Sequence, residues 1–148
     1  MSKIRVVVDT NIFLNAWFSS NHFYCDAVID LVDKKNIQLV FSQDTIGELF
    51  YLLKNFVSHT SYDKETKYEY MHILSEIFFD AFSTNTSKTK CPELFDVTDE
   101  MFLQTAIESK ADYIISDDFR SGMHNVKLEG TKIVSSEEFV SIYERLCG

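Results

Sequence analysis

The chain has 148 residues, 45% of them apolar and 25% charged, with only 4 Gly and 1 Pro, which suits a single globular domain over residues 1–148 and excludes long flexible linkers. No apolar run reaches the ~20 residues of a bilayer-spanning helix, and the apolar stretch at the amino terminus stops at Asp9 with no small-residue cleavage site, so neither a membrane span nor a signal peptide is expected. A net charge of −9 argues against a nucleic-acid coat and suits a carboxylate metal site, a basic partner or plain solubility, while Cys25, Cys91 and Cys147 are too scattered for a metal pair or a disulfide framework and fit reduced thiols in the cytoplasm.

Ile4–Val8 is a continuous β-branched run, the pattern of a strand covered on both faces, and it ends in Asp9, Thr10 and Asn11. Residues 22–35 place Phe23, Ala27 and Leu31, with Val28 and Val32, at helical spacing. Ile37–Phe41 reads as a second buried strand. Ser42 then offers a cap for a helix through Ile46, Leu49, Phe50, Leu53 and Phe56. Residues 64–79 continue at the same spacing, and the polar stretch 85–90 is expected to be a mobile loop. After Pro92, Asp99 is positioned to open a helix that buries Phe102, Leu103, Ala106 and Ile107. Tyr113–Ser116 is a strand running into Asp117 and Asp118, and Lys132–Val134 is a last short strand. Ser135 or Ser136 could cap a final helix through Phe139, Val140, Tyr143 and Leu146. The alternation predicts an α/β fold, a three-layer α/β/α sandwich on a mainly parallel sheet.

In an open parallel sheet, function sits at the carboxyl ends of the strands. Two strands here end in acids, at Asp9 and at Asp117–Asp118. Glu48 lies early in the helix after the second strand, and Asp99 starts the helix before the Tyr113–Ser116 strand. Carboxylates crowded into a half-buried cleft repel one another and are costly to desolvate, so some are protonated or cations are present. Hard cations such as Mg²⁺ or Mn²⁺ take oxygen ligands and can activate water against a phosphodiester. No Gly-rich phosphate loop and no Ser/His/Asp order competes with this chemistry.

The stretches VVVDTNIFLNA, FSQDTIGELFYLL and DVTDEMFLQTAIESKADYIISDD, in that order, resemble the PIN-domain family of metal-dependent ribonucleases, many of which are toxins of bacterial toxin–antitoxin pairs. The resemblance implies Asp9, Glu48, Asp99 and Asp118 as the metal-binding catalytic acids. It implies Mg²⁺ or Mn²⁺ as cofactor, RNA as substrate, an antitoxin as a possible partner, and a homodimer. Asn11, Ser116 and Asp117 would orient carboxylates or waters around them. Asp117 stands where relatives often carry Gly or Arg, and Arg120 where many carry a further acid; a slip of one residue would make Asp117 the ligand in place of Asp118.

Simpler roles exist for each group. Asp9 and Asp99 are also good helix caps, and Glu48 could be an ordinary helix residue. Asp96 is open between the site and a loop or structural role, the latter favoured. The four histidines, at 22, 59, 72 and 124, show no ligand spacing. Tyr51, Tyr62, Tyr68 and Tyr70, with Phe56, suit a core or a dimer face more than a base-stacking platform, and Lys88, Lys90 and Arg120 could meet a phosphate backbone but suit solvated loops better. Two competing readings remain: a PIN-fold binding module acting through a protein partner, and a phosphohydrolase or receiver domain. The second lacks its acid two residues after Asp9, where Asn11 stands.

Overall fold

The computed structural model describes residues 3–147, so the two ends of the domain expected over 1–148 lie outside the described residues. Five strands, β1 (Arg5–Val8), β2 (Gln38–Ser42), β3 (Phe82–Thr84), β4 (Tyr113–Ile115) and β5 (Lys132–Val134), form one sheet in the order β3-β2-β1-β4-β5. Every pairing is parallel, with Val7 opposite Ile114 and Val6 opposite Leu39. Six helices connect them: α1 (Thr10–Phe18), α2 (Phe23–Asp33), α3 (Gln43–Ser58), α4 (Lys64–Asp80), α5 (Glu100–Ser109) and α6 (Ser136–Cys147).

The period of two along each strand divides the core between the sheet's faces. Val6, Val8, Leu39, Phe41, Ile115 and Val134 point to one face, where α1, α2, α3, α4 and α6 cover them. Val7, Val40, Ile114 and Ile133 point to the other, under Phe102, Leu103 and Ala106 of α5. This is the expected three-layer sandwich.

Several local expectations need correction. The helix expected over 22–35 runs from Phe23 to Asp33 and stops because Lys35 takes a left-handed backbone, φ 58°. Strand β3 carries no alternating pattern and lies at the sheet edge with Phe82 and Ser83 exposed. Ile107, expected on the buried face of α5, is 36% exposed, while Phe102, Leu103 and Ala106 are buried.

Ser42 ends β2 and starts α3. Its Oγ accepts the Thr45 N–H at 3.3 Å, and its own N–H donates to Thr45 Oγ1 at 2.9 Å, a closed capping box. Thr105 Oγ1 of α5 lies 2.8 Å from Ser42 Oγ and 2.7 Å from the Met101 carbonyl. One hydroxyl proton cannot serve both acceptors, so donation to Met101 leaves Ser42 to donate to Thr105. This buried network stitches the layers at the carboxyl end of β2. At α6 the equivalent box, in which Ser135 and Glu138 each accept the other's N–H at 3.1 Å, is exposed. Ser42→Ala should therefore cost about 1–2 kcal/mol, and Ser135→Ala about 0.5–1 kcal/mol. Urea-unfolding midpoints of the two variants measure the difference.

Candidate active site

Asp9 is the first residue beyond β1. Its N–H continues the ladder to the Ile115 carbonyl at 3.0 Å, and the side chain is 5% exposed. Ser116, fully buried one residue beyond β4, donates its hydroxyl to Asp9 Oδ2 at 2.7 Å. The backbone N–H of Asn11 reaches Asp9 Oδ1 at 3.4 Å, and the Asn11 side chain is exposed. Burial pushes the Asp9 carboxyl above its ordinary range against the pull of these two hydrogen bonds, and the charges of Asp118 and Asp117 add to the rise.

Glu48 stands one turn into α3. The Thr10 hydroxyl donates to its Oε2 at 3.3 Å. Burial raises its pKa, the Thr10 bond opposes this, and the charges of Asp9 and Asp96 raise it further. Asp118 is held from two sides: its N–H donates to Ser116 Oγ at 3.1 Å, and its Oδ1 accepts the Arg120 N–H at 2.8 Å.

Asp99 does not cap its helix. A 3₁₀ turn, Val97–Asp99, precedes α5, and Asp96 caps that turn, its Oδ1 accepting from the Thr98 N–H at 3.1 Å and the Thr98 hydroxyl at 2.6 Å. The Asp99 side chain is left 9% exposed, with Oδ2 buried and without a hydrogen-bond partner. Burial pushes it up to about 6, helped by the charges of Asp9, Asp96 and Asp118 and opposed by a hydrogen bond from Ser121. The influence of Asp96 on both Glu48 and Asp99 puts it beside the candidate acids, in addition to the structural role its sequence position had favoured. The signal was its spacing, three residues before Asp99.

Asp117 faces elsewhere. Its Oδ1 accepts the Ser136 N–H at 2.8 Å and its Oδ2 the Ser136 hydroxyl at 2.7 Å, anchoring the start of α6, with Cys25 Sγ 3.5 Å away. His124, placed by its spacing among the non-ligands, puts Nε2 2.8 Å from the Ser116 carbonyl.

The structure thus brings Asp9, Glu48, Asp99 and Asp118 to one end of the sheet, within reach of one another's charge. Among the described residues no three His, Cys, Asp or Glu side chains form a ready-made metal cage. Mg²⁺ does not need one, because it keeps several waters and binds through one or two carboxylates. The partnerless Asp99 oxygen beside Asp9 is the feature that fits a hard cation, since oxygen donors of high negative charge and unmet bonding capacity are what such an ion takes.

A carboxyl whose pKa is higher folded than unfolded binds its proton more tightly in the native state. Native stability from Asp99 is therefore lost as pH rises from the ordinary carboxylate range through about 6. In EDTA, the melting temperature should fall across that window, and Asp99→Asn should flatten the fall and melt higher than wild type at pH 8. Thermal melts across a pH series check both.

The chain matches the family model for the PIN domain over residues 5–120, which includes all four acids and β1 to β4. No curated protein matches the sequence. Several solved structures share the fold, two of them as follows. VapBC2 from Rickettsia felis, bound to a DNA fragment from its promoter, is similar with a TM-score of 0.53 at 14% identity, over 89% of this chain and 98% of that one. PAE2754 from Pyrobaculum aerophilum is similar with a TM-score of 0.54 at 14% identity, over 93% of this chain and 88% of that one. With its parallel five-stranded sheet and acids at the carboxyl ends of β1 and β4, the chain belongs to the PIN-domain family.

Proposed function

We propose that this PIN-domain chain is a divalent-metal-dependent endoribonuclease that hydrolyses RNA phosphodiester bonds and serves as the toxin of a toxin–antitoxin pair. The observation that carries the reading is the gathering of buried or half-buried carboxylates at one end of the sheet, with Asp99 Oδ2 unpartnered there. PIN domains are generally nucleases.

Asp9, Glu48, Asp99 and Asp118 would hold Mg²⁺ or Mn²⁺. When bound, such ions polarise a phosphoryl oxygen and bring water to a nucleophilic state near neutral pH. The chain's part is orientation. Ser116 fixes the Asp9 carboxylate by donating to Oδ2, so Oδ1 turns toward the cleft with only the long Asn11 contact. Thr10 does the same for Glu48. Asp99 keeps its buried Oδ2 free. Asp117 is occupied by α6, which favours Asp118 as the fourth acid.

The antitoxin belongs to the same proposal. It is supported by the toxins among PIN-domain relatives and by the likeness to VapBC2, whose structure includes promoter DNA. A homodimer and a cytoplasmic location complete it. Tyr51 and Tyr68, 66% and 62% exposed on α3 and α4, are candidates for a dimer face, and no described helix is long and apolar enough to cross a membrane. The binding-module reading keeps one specific support, the Arg120 that replaces a further acid beside Asp118.

Cleavage of a mixed RNA pool tests the proposal. Cutting should require Mg²⁺ or Mn²⁺, stop in EDTA, and vanish in Asp9→Asn. Ser116→Ala should lose on the order of 10- to 100-fold, the usual cost of removing a group that orients a metal ligand. Folded wild type that binds metal and cuts no RNA would establish the binding module instead.

A further inference from the structure

A polyanion approaching this end of the sheet meets Asp9, Glu48, Asp96, Asp99 and Asp118, on a chain of net charge −9. Bound cations would offset the acids locally. They do not supply the run of Lys and Arg on which most nucleic-acid binding rests. If RNA binds here, part of its affinity must come from a source other than phosphate neutralisation.

Phe95 lines a groove beside these acids, and a second exposed ring, Phe119, follows Asp118 in the chain. A groove of about 420 Å³ next to the acids is lined by Phe95, Asp96, Val97, Asp118 and Arg120, a volume within the range of small-ligand sites. Phe95 is 93% exposed. Phe119, between Asp118 and Arg120 in the chain, is 60% exposed, and it is not loose. One face of its ring stacks on His124, centroids 4.2 Å apart and planes 27° from parallel. His124 is in turn fixed by Nε2 at 2.8 Å from the Ser116 carbonyl, and Ser116 is the residue that holds Asp9. A ring with a braced inner face and an open outer face has given up its side-chain freedom before any ligand arrives. That lowers the cost of stacking something on it.

We propose that Phe119, braced by His124, is a stacking platform for one unpaired base of the RNA beside the cleaved phosphodiester. The proposal rests on the nuclease reading and deepens it. Stacking tolerates every base, because each has a π-face. Arg120, the next residue in the chain, lines the groove beside Asp118 and supplies a cation for the neighbouring phosphate. A duplex would keep its bases paired and away from the ring.

The test is binding of a short fluorescent single-stranded RNA in Mg²⁺, with Asp9→Asn as the background so that nothing is cut. Added to that background, Phe119→Leu keeps apolar area and loses the π-face, and Phe119→Trp keeps both. The ring is solvent-exposed, so both variants should fold, which melting curves verify. Phe119→Leu should weaken binding by roughly tenfold, and Phe119→Trp should retain it. The salt dependence should stay the same in all three, since no phosphate contact is lost. An RNA with one abasic nucleotide at the stacked position should bind the Phe119 protein as weakly as the intact RNA binds Phe119→Leu, and the abasic site should cost Phe119→Leu nothing more.

Unchanged RNA affinity in Phe119→Leu would overturn the platform and assign the exposed rings to a protein partner. Equal losses from abasic sites in both proteins would overturn it too. If the wild-type chain neither binds nor cuts RNA with Mg²⁺ or Mn²⁺ present, the nuclease reading itself fails and the platform falls with it. That outcome differs from a failure confined to the Phe119 variants.

Discussion

Ser116 is the residue through which the end of the sheet is locked. It is fully buried one position beyond β4, and each of its polar groups is used. Its N–H pairs with the Val134 carbonyl of β5 at 2.9 Å, and its carbonyl meets His124 Nε2 at 2.8 Å. Its hydroxyl donates to Asp9 beyond β1 and accepts from the N–H of Asp118 in the following loop. One side chain and its backbone thereby fix three strand ends and the loop from 117 to 124. The acids inherit their positions from sheet register, which is far stiffer than a loop, and a site that must hold like charges close together needs that stiffness.

The charges would push the strand ends apart without compensation. Part of it comes from the helices. α1, α3, α5 and α6 all begin at this end, and the partial positive charge of a helix N-terminus favours nearby carboxylates by about 0.3–1 kcal/mol each. Asp9 uses the start of α1, Asp96 the turn before α5, and Asp117 the start of α6. The rest comes from the core on both faces, where fully buried Phe13, Phe102 and Phe139 anchor the layers. What is not compensated is the Asp99 oxygen, and its raised pKa is the mark of that deficit. In a parallel α/β fold such a deficit at the strand ends is a functional feature more often than a structural one.

Much of this could be read in the sequence because the strands of a parallel sheet are covered on both sides and become continuous apolar runs. VVV, QLVF and YII announce β1, β2 and β4, and the acids that follow them are visible at once. The edge strand β3 escaped because FST has one buried neighbour and no alternation to show. The division of labour between Asp96 and Asp99 also escaped. Two acids three residues apart before a helix look like one cap and one spare, and only the 3₁₀ turn shows that Asp96 is the cap, which frees Asp99. The role of His124 could not be read at all. It depends on a loop folding back onto the Ser116 carbonyl, a contact eight residues long in sequence with no periodic signal.

The choice between Asp117 and Asp118 shows how a local rule reaches the chemistry. Side chains alternate along β4: Tyr113 and Ile115 face the α2–α6 side, and Ile114 faces α5. The ladder persists one residue further, through the Ser116 N–H to Val134, so the alternation carries on. Ser116 falls on the α5 side, where it meets Asp9. Asp117 falls on the α2–α6 side, where Ser136 and Cys25 take its oxygens, and burial beside that charge pushes the Cys25 thiol up to about 11. Asp118 returns to the α5 side and adds its charge to Asp99. Along β1 the same count puts Val7 and Asp9 on the α5 side and Val8 on the other. The acids that share a face are therefore those an even number of residues from Val7 and Ile114, which are paired across the sheet. By that parity Asp118 belongs with Asp9, and Asp117, one step out of phase, is left to start a helix.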